Sequence, residues 1–193
     1  IRSQAASVGR TKTIEDYMER IQIRLGNPGE KNSLDEYMSN FFNALQNLAE
    51  TPERISFRES AVDAGIVLAR EVSGLADNLE DLRYQADRDI AEAVKTVNEE
   101  LQNLDTLNTA ISRAHVLGNS KADLQDKIDM SLKKISEYLN INIYVQEDGQ
   151  VQVFGPQGYG LLDQTLYQLQ YRPAESVDTF INGGPMSPIQ VTA

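Results

Sequence analysis

Apolar residues recur every three or four positions through most of the first 140 residues, which predicts a chain of helices. The dominant stripe steps from Ala61 to Ile111 without a skip and predicts a single helix over about 54–115. At ~1.5 Å per residue that helix would be roughly 90 Å long, a length more typical of elongated bundles and coiled coils than of compact domains. We expect any bend or break at Gly65 or Gly74, since glycine costs up to about 1 kcal/mol relative to alanine inside a helix.

Shorter stripes of the same spacing predict three further helices. Each begins at a Ser or Thr that is followed three residues later by an acid, a pattern that satisfies unpaired N–H groups of the first turn. Glycine and proline mark the ends. The predicted helices are 13–25, which starts at Thr13 and leads into a turn at 26–29; 33–50, which starts at Ser33 and is stopped by Thr51-Pro52; and 120–140, which starts at Ser120 after a turn at Gly118.

Beyond residue 140 the apolar period changes to two, which predicts strands. Apolar and polar residues alternate on both sides of a turn at 147–149. A three-residue loop there pairs Val145 with Val151 and Ile143 with Val153, whereas a two-residue turn would mix apolar and polar side chains on one face. We therefore predict the three-residue loop.

The fold class expected from these patterns is mainly α. We predict an elongated antiparallel helical bundle over 1–140 with one very long helix, and a small β region over 141–193 that begins a larger outer domain. Further short strands are expected at 159–162 and 166–171. After Pro173 the chain is rich in Gly and Pro, and we expect it to end without a closing element.

Composition narrows the classes of function. The 193 residues are 40% hydrophobic and 24% charged, which is typical of a folded chain, and the formal net charge of -11 disfavours nucleic-acid binding. No apolar run approaches the ~20 residues of a membrane span. The absence of cysteine excludes disulfides, thiolate zinc sites and thiol nucleophiles, and the single histidine, His115, argues against most hydrolytic and metal-dependent chemistry. We expect no enzyme activity, no cofactor, and no catalytic or metal-binding residue.

Acidic pairs are the most conspicuous candidates for chemistry. The pairs Glu80-Asp81, Asp87/Asp89 and Glu99-Glu100 have the residue types of an acid/base or metal site, but we interpret them as the solvated face of a helix. Asp126 and Asp129 lie one helical turn apart and could face a cation. Negative charge near a helix N-terminus is favourable without any ligand, so we expect none.

Three other features were weighed in the same way. His115 is expected at the end of the long helix, where a cation is favoured by the helix dipole. The segment 155–160 resembles a phosphate loop but lacks its Lys-Ser/Thr, so we predict turns between strands. The rings of Phe41 and Phe42 point about 100° apart around the helix axis, which predicts one core contact and one contact with a second neighbour.

Four stretches in this order resemble the FlgK family of flagellar hook-associated proteins, over roughly residues 2–172. None of them alone is specific for the family, because each shows only the apolar spacing of a helix that faces a core. The resemblance depends on their order and spacing. In the third stretch Ile128 replaces the arginine of the family's pattern, so a salt bridge expected there is absent. The stretches are Phe41-Phe42 with Leu45, Leu48, Pro52, Arg58 and Val62; Val94, Val97-Asn98, Leu101, Leu104, Leu107-Asn108 and Ile111-Ser112; Leu124-Gln125-Asp126 with Asp129 and Leu132; and 140–145 with Asp148-Gly149 and 158–161.

The resemblance implies a structural protein outside the cell that connects the flagellar hook to the filament through a ring of its own copies. It implies as partners those copies, the hook protein and the next hook-associated junction protein, with no nucleic acid and no membrane. It also implies that this chain is a fragment lacking the terminal segments of the family, and we expect the isolated fragment to be monomeric. The alternative is a sensory or adaptor helical bundle, which predicts a pocket of convergent polar groups between helices.

Overall fold

The computed structural model describes residues 2–27, 29, 31–175 and 186–192, with side chains from residue 7 onward. This part of the chain is mainly helical and has a small antiparallel β region near its C-terminal end, as predicted. The elements are α1 (Arg2–Leu25), α2 (Leu34–Glu50), α3 (Ile55–Val116), α4 (Ala122–Tyr138), β1 (Asn142–Val145), β2 (Val151–Phe154), β3 (Gly160–Leu162), β4 (Gln168–Gln170) and β5 (Gln190–Thr192).

The very long helix is confirmed. α3 has 62 residues and runs through both glycines without interruption, so the break expected at Gly65 or Gly74 does not occur. At Gly65 a Cβ atom would lie 3.1 Å from the ring of Phe41. The missing side chain therefore lets the Phe41 ring of α2 pack directly on α3, and this contact offsets part of the intrinsic cost of glycine.

The start of α1 was predicted wrongly. The helix begins at Arg2, and Thr13 lies inside it with its hydroxyl donating to the Gly9 carbonyl at 3.0 Å. A threonine hydroxyl can bond the carbonyl four residues back as readily as it can cap a helix, so the Thr13–Asp16 signal was ambiguous. The turn predicted at 26–29 includes Pro28, which lies outside the described residues; Gly26 and Gly29 both have positive φ.

The start of α2 was predicted correctly, but its chemistry differs from a capping box. Ser33 is the N-cap residue, yet its hydroxyl makes no capping bond to the helix backbone and donates to Asp35 instead. The Glu36 carboxylate accepts the N–H of Asn32 at 2.7 Å, one residue before the cap. The acid at the third position is therefore used as the pattern predicts, with a shift of one residue.

The N-cap of α4 is Lys121, so the prediction of Ser120 is wrong by one residue. The Lys121 carbonyl accepts the N–H of Gln125 at 2.9 Å, and its ammonium donates to the Asp148 carbonyl at 3.2 Å. This contact with the β-hairpin ties down Lys121 and is a tertiary effect that local patterning does not contain.

The described residues divide into two compact units, and α1 and α3 contribute to both. Unit 1 comprises residues 1–14 and 85–193, and unit 2 comprises residues 15–84. Unit 1 contains a continuous hydrophobic core built from one side of α3, the inner side of α4 and the inner faces of the strands. Its most deeply buried members are Val97, Leu101, Leu104, Ile111, Leu132, Ile135, Val153, Leu161 and Leu162.

The predicted β-hairpin is confirmed in its loop length and register. Val145 pairs with Val151 and Ile143 with Val153, and the loop 147–149 is closed by a 2.8 Å bond from the Gln146 N–H to the Gln150 carbonyl. Gly149 has φ 98°, the left-handed conformation that this loop requires. The register buries Val151 and Val153 on the core side of the sheet.

The two later strands are confirmed in shorter form, and one strand was missed. β3 extends the hairpin into a sheet of order β1-β2-β3, while β4 pairs with β5 in a second antiparallel sheet. The expectation that the chain ends without a closing element is therefore wrong, since Val191 in β5 pairs with Leu169 in β4. β5 has one apolar residue between two polar ones, and this pattern is too short to predict a strand without its partner. Residues 176–185, in the same stretch, lie outside the described part of the chain.

Candidate functional site

Side chains of α3 form hydrogen bonds with the β region at three places. We call each of these places a joint. At the first joint, the side-chain amide of Asn108 bonds both backbone groups of Val151, donating to its carbonyl and accepting from its N–H at 2.8 Å each. Val151 lies beyond the residues of β2 that pair with β3. Asn108 therefore continues the hydrogen-bond ladder where β3 ends, and it does so inside the core, with 7% of its surface exposed.

The second joint repeats this arrangement on β4. The amide of Asn98 donates to the Leu169 carbonyl at 2.8 Å and accepts the Leu169 N–H at 2.9 Å. Both backbone groups would otherwise lie unpaired at the edge of the sheet formed by β4 and β5. Asn98 and Asn108, ten residues apart on one helix, thus act as substitutes for a neighbouring strand in two different sheets.

The third joint is a buried carboxylate. Asp87 is 1% exposed and accepts two hydrogen bonds, one from the Tyr171 hydroxyl and one from the Ala174 N–H at 2.7 Å. Burial, followed by the hydrogen bond and charge of Asp87, raises the pKa of Tyr171 to about 12. Asp87 therefore fixes the chain just after β4, and the interpretation of Asp87 as part of a solvated helix face is wrong.

Helices α3 and α4 are joined by a cross-helix ion pair, Lys134 with Glu100 at 2.6 Å. Burial opposes ionisation of Glu100, but the hydrogen bond and charge of Lys134 outweigh it and lower the Glu100 pKa. The same pair raises the pKa of Lys134. Glu100 is thus a partly buried partner and, like Asp87, departs from the solvated-face interpretation. Next to the pair, Asn103 on α3 donates to the Ser131 hydroxyl on α4 at 2.9 Å.

The α3–α4 turn and the hairpin tip meet around His115. Its Nδ1 lies 3.2 Å from the Lys121 ammonium. The pKa of Asp148 is lowered by a hydrogen bond from the Gln150 backbone, with smaller contributions from Ser112 and the charge of His115. His115 lies in the last turn of α3 and is exposed, where the sequence placed it. The segment 155–160 forms the turn predicted between β2 and β3.

Unit 2 presents apolar side chains to solvent. α2 contains no buried residue, although its apolar positions follow a regular helical spacing. One row, which includes Phe41, is half-buried and faces α3, as the Phe41–Gly65 contact shows. A second row, stepping by four, three and four residues, is exposed and consists of Met38, Phe42, Leu45 and Ala49. We call this second row the outer row of α2. The Phe41 ring contacts α3 as predicted, while Phe42 is 60% exposed, so its contact with a second neighbour stays a prediction.

The remaining candidates for chemistry do not come together. Within the described residues, no group of three or more His, Asp or Glu side chains is arranged to hold a metal ion. Asp123, near the start of α4, pairs with Lys127 at 2.7 Å. Ile128, the residue that departs from the family's pattern, is 3% exposed and belongs to the core of unit 1.

The sequence did not single out the joint residues. Asn98 and Asn108 belong to the stretches that carry the family resemblance, and Asp87 is one of several acids, but the sequence pattern assigns a role to none of them. One signal was available, because Asn108 occupies a position in an otherwise aliphatic stripe, and a polar residue there requires a buried partner. Asn98 and Asp87 carry no such signal.

Comparison with known proteins gives a consistent result. The family model described as the flagellar hook-associated protein FlgK helical domain matches residues 18–182. Flagellar hook-associated protein 1 of Bacillus subtilis (strain 168) is 23% identical over 123 residues, which are 64% of this chain and 24% of that protein. The flagellar hook junction protein FlgK of Burkholderia pseudomallei has a similar structure, with a TM-score of 0.71 and 22% identity. That match covers 88% of this chain and 30% of the other.

This chain therefore spans about a quarter of the length of the curated relative and under a third of the solved structure. At this level of identity the structural match concerns the fold. No helix in the described part of the chain is both long enough and apolar enough to cross a membrane.

Proposed function

Because this chain belongs to the FlgK family of flagellar hook-associated proteins, we propose that it is a structural part of the flagellum, located outside the cell at the junction of hook and filament, and that it has no catalytic role. The family match over 18–182, together with the helical fold it shares with a hook junction protein, carries this proposal. The match favours this function over that of a sensory or adaptor bundle.

The physical requirement of such a role is a subunit that keeps its shape under load and offers surfaces to its neighbours. The core of unit 1 meets the first need, since close-packed aliphatic side chains resist deformation. The joints at Asp87, Asn98 and Asn108 hold the β region on the same helix. The exposed apolar side chains of unit 2 meet the second need, because exposed apolar surface marks sites of association.

The partners in this proposal are other copies of the chain in a ring, the hook protein and the next hook-associated junction protein. Residues 1–140 would form the helical layer of the ring, and residues 141–193 the beginning of an outer domain. Free copies are monomeric in this proposal, because a net charge of -11 opposes association until the growing flagellum aligns them. Sedimentation at low salt tests this point, and a stable discrete oligomer would contradict it.

Removal of the gene in the source bacterium tests the function itself. We expect hooks without attached filaments and loss of motility, both restored by the wild-type gene. Immunolabelling should place the protein at the hook–filament junction of the restored strain. Filaments that stay attached in the deletion strain would rule the proposal out. A thermal-shift screen with small molecules tests the sensory alternative, which predicts reproducible stabilisation by a ligand class.

A further inference from the structure

Unit 2 contains an apolar groove between the end of α1 and the start of α2. It has a volume of about 550 Å³, comparable to a small-molecule pocket. Its walls are formed by Met18, Ile21, Leu25, Leu34 and Met38, with Gln22, Gly26 and Asp35 at the polar margin. Asp35 is the one charged side chain among these lining residues. Two of the lining residues are methionines, whose flexible side chains can adapt to the shape of an incoming side chain.

The turn between α3 and α4, in unit 1, has the opposite shape. Val116 and Leu117 are 81% and 65% exposed at its tip. The turn is rigid, because Gly118 adopts φ 66° and the Asn119 N–H bonds the Ala114 carbonyl at 2.9 Å, the pattern of a glycine-terminated helix. We call Val116 and Leu117 the corner knob. The backbone that carries its two aliphatic side chains is fixed, which lowers the entropic cost of docking them.

The charges of the two features are complementary. Arg113 lies three and four residues before Val116 and Leu117, and therefore on the same side of the helix end. No ion pair of Arg113 occurs among the described residues, and residues 106–122 contain no Asp or Glu. The nearby Asp148 lies instead on the side of His115 and Lys121.

The α2 side of the groove is acidic. α2 contains Asp35, Glu36 and Glu50 but no Lys or Arg. Hydrogen bonds from the Ser33 hydroxyl and the Gly29 N–H lower the pKa of Asp35 and keep it ionised.

We infer that the corner knob of one copy docks into the α1–α2 groove of a second copy, with Arg113 of the first facing Asp35 of the second. This inference rests on the proposed function, and it names the surfaces through which neighbouring copies meet. The contact joins two different surfaces, so each copy has one of each to offer, and repetition builds a ring or a helical array. A knob of two side chains is a small contact, and it agrees with free copies that remain monomeric.

Engineered cysteines test the contact directly, since the chain has none of its own. We expect the double variant Leu117→Cys/Met38→Cys to form a ladder of disulfide-linked multimers when isolated flagella are oxidised. Each single variant should remain monomeric, because the contact joins unlike surfaces. The matched control is Val145→Cys/Met38→Cys, which places an equally exposed cysteine on β1. A ladder from the control, or none from the test pair in junctions that have assembled, overturns the inference.

A second variant covers the case in which the cysteine pair prevents assembly. Leu117→Asp should leave the unfolding temperature of the purified protein unchanged, because Leu117 is exposed, while junction assembly falls at least tenfold. Val145→Asp should assemble normally. Normal assembly of Leu117→Asp contradicts the inference and leaves the proposed function intact. Absence of the wild-type protein from the junction would refute the proposed function and this contact with it.

Discussion

Units 1 and 2 use the same helix in different ways. In unit 1, Leu101 and Leu104 of α3 are fully buried under α4 and the strands. In unit 2, Val72 and Leu79 belong to the same apolar stripe of α3 and are 49% and 36% exposed. The spacing of apolar residues is identical in the two regions. Periodicity therefore identifies which side of a helix is apolar. How far that side is buried depends on which other elements of the chain pack against it.

This difference separates two kinds of stability. Unit 1 has a core of its own, so its stability is intramolecular. Unit 2 leaves large apolar side chains exposed along α2 and the first half of α3, and burial of these groups would be worth about 25 cal/mol per Å² if a neighbour covered them. We therefore predict that the core stability of unit 1 changes little on assembly and that unit 2 gains stability from it.

Truncation of one leucine in each unit should give the largest contrast. Leu104→Ala creates a cavity in the core of unit 1 and should cost about 3 kcal/mol of unfolding free energy. Leu45→Ala in the outer row of α2 should cost less than about 1 kcal/mol in the free chain, because Leu45 is 39% exposed. Urea unfolding followed by circular dichroism measures both. Equal costs would show that α2 is buried in solution and that the two units do not differ in this respect.

Removal of the Asn108 amide should have the next largest effect. Asn108→Ala leaves the N–H and carbonyl of Val151 unpaired in the core and should cost about 2 kcal/mol. Asn103→Ala is the matched control, since Asn103 bonds the Ser131 hydroxyl of α4 and not a strand. Amide exchange at Val151 should accelerate in Asn108→Ala alone. An unchanged rate would show that β2 does not depend on this joint.

Some of these structural features can be predicted from the sequence and others cannot. The long helix, the end of α2 and the hairpin register follow from local periodicity, and all were predicted. The joints formed by Asp87 and Asn98 depend on partners more than 70 residues away, so nothing near them in sequence indicates a role. β5 was missed because Gln190–Thr192 contains one apolar residue between two polar ones, which is too short a pattern to predict a strand. The prediction of the start of α1 was wrong because a threonine hydroxyl such as that of Thr13 can either cap a helix or bond the carbonyl four residues back.

The alkaline limb of the pH–stability curve should report the Asp87 joint. The pKa of Tyr171 is raised from 10.0 to about 12 in the folded chain, so its contribution is complete below pH 10 and is lost as the pH rises towards 12. Tyr171→Phe should cost about 1 kcal/mol at neutral pH and should flatten this limb. Tyr144→Phe, an exposed tyrosine on β1, is the control. A limb that is equally steep in Tyr171→Phe would show that another group dominates it.

The ion pair between α3 and α4 should have the smallest effect. The pKa of Glu100 is lowered from 4.5, so the stability it contributes is present above that pH and is lost as the pH falls through the lowered value. Lys134 is largely solvated, and screening by salt should reduce the contribution further. Glu100→Gln should lower the urea midpoint slightly at pH 7 and low salt, and the difference should disappear at 1 M salt. A salt-independent loss would indicate packing as its cause.

Whether assembly buries the exposed apolar side chains of unit 2 can be measured by hydrogen exchange of the free protein and of the same protein in isolated flagella. We predict that amides of α3 between residues 94 and 111 are strongly protected in both states, because they belong to the core of unit 1. Amides of α2, residues 34–50, should exchange rapidly in the free protein and slow by at least tenfold after assembly. Equal protection of α2 in the two states would contradict the claim that assembly buries the exposed apolar side chains of unit 2.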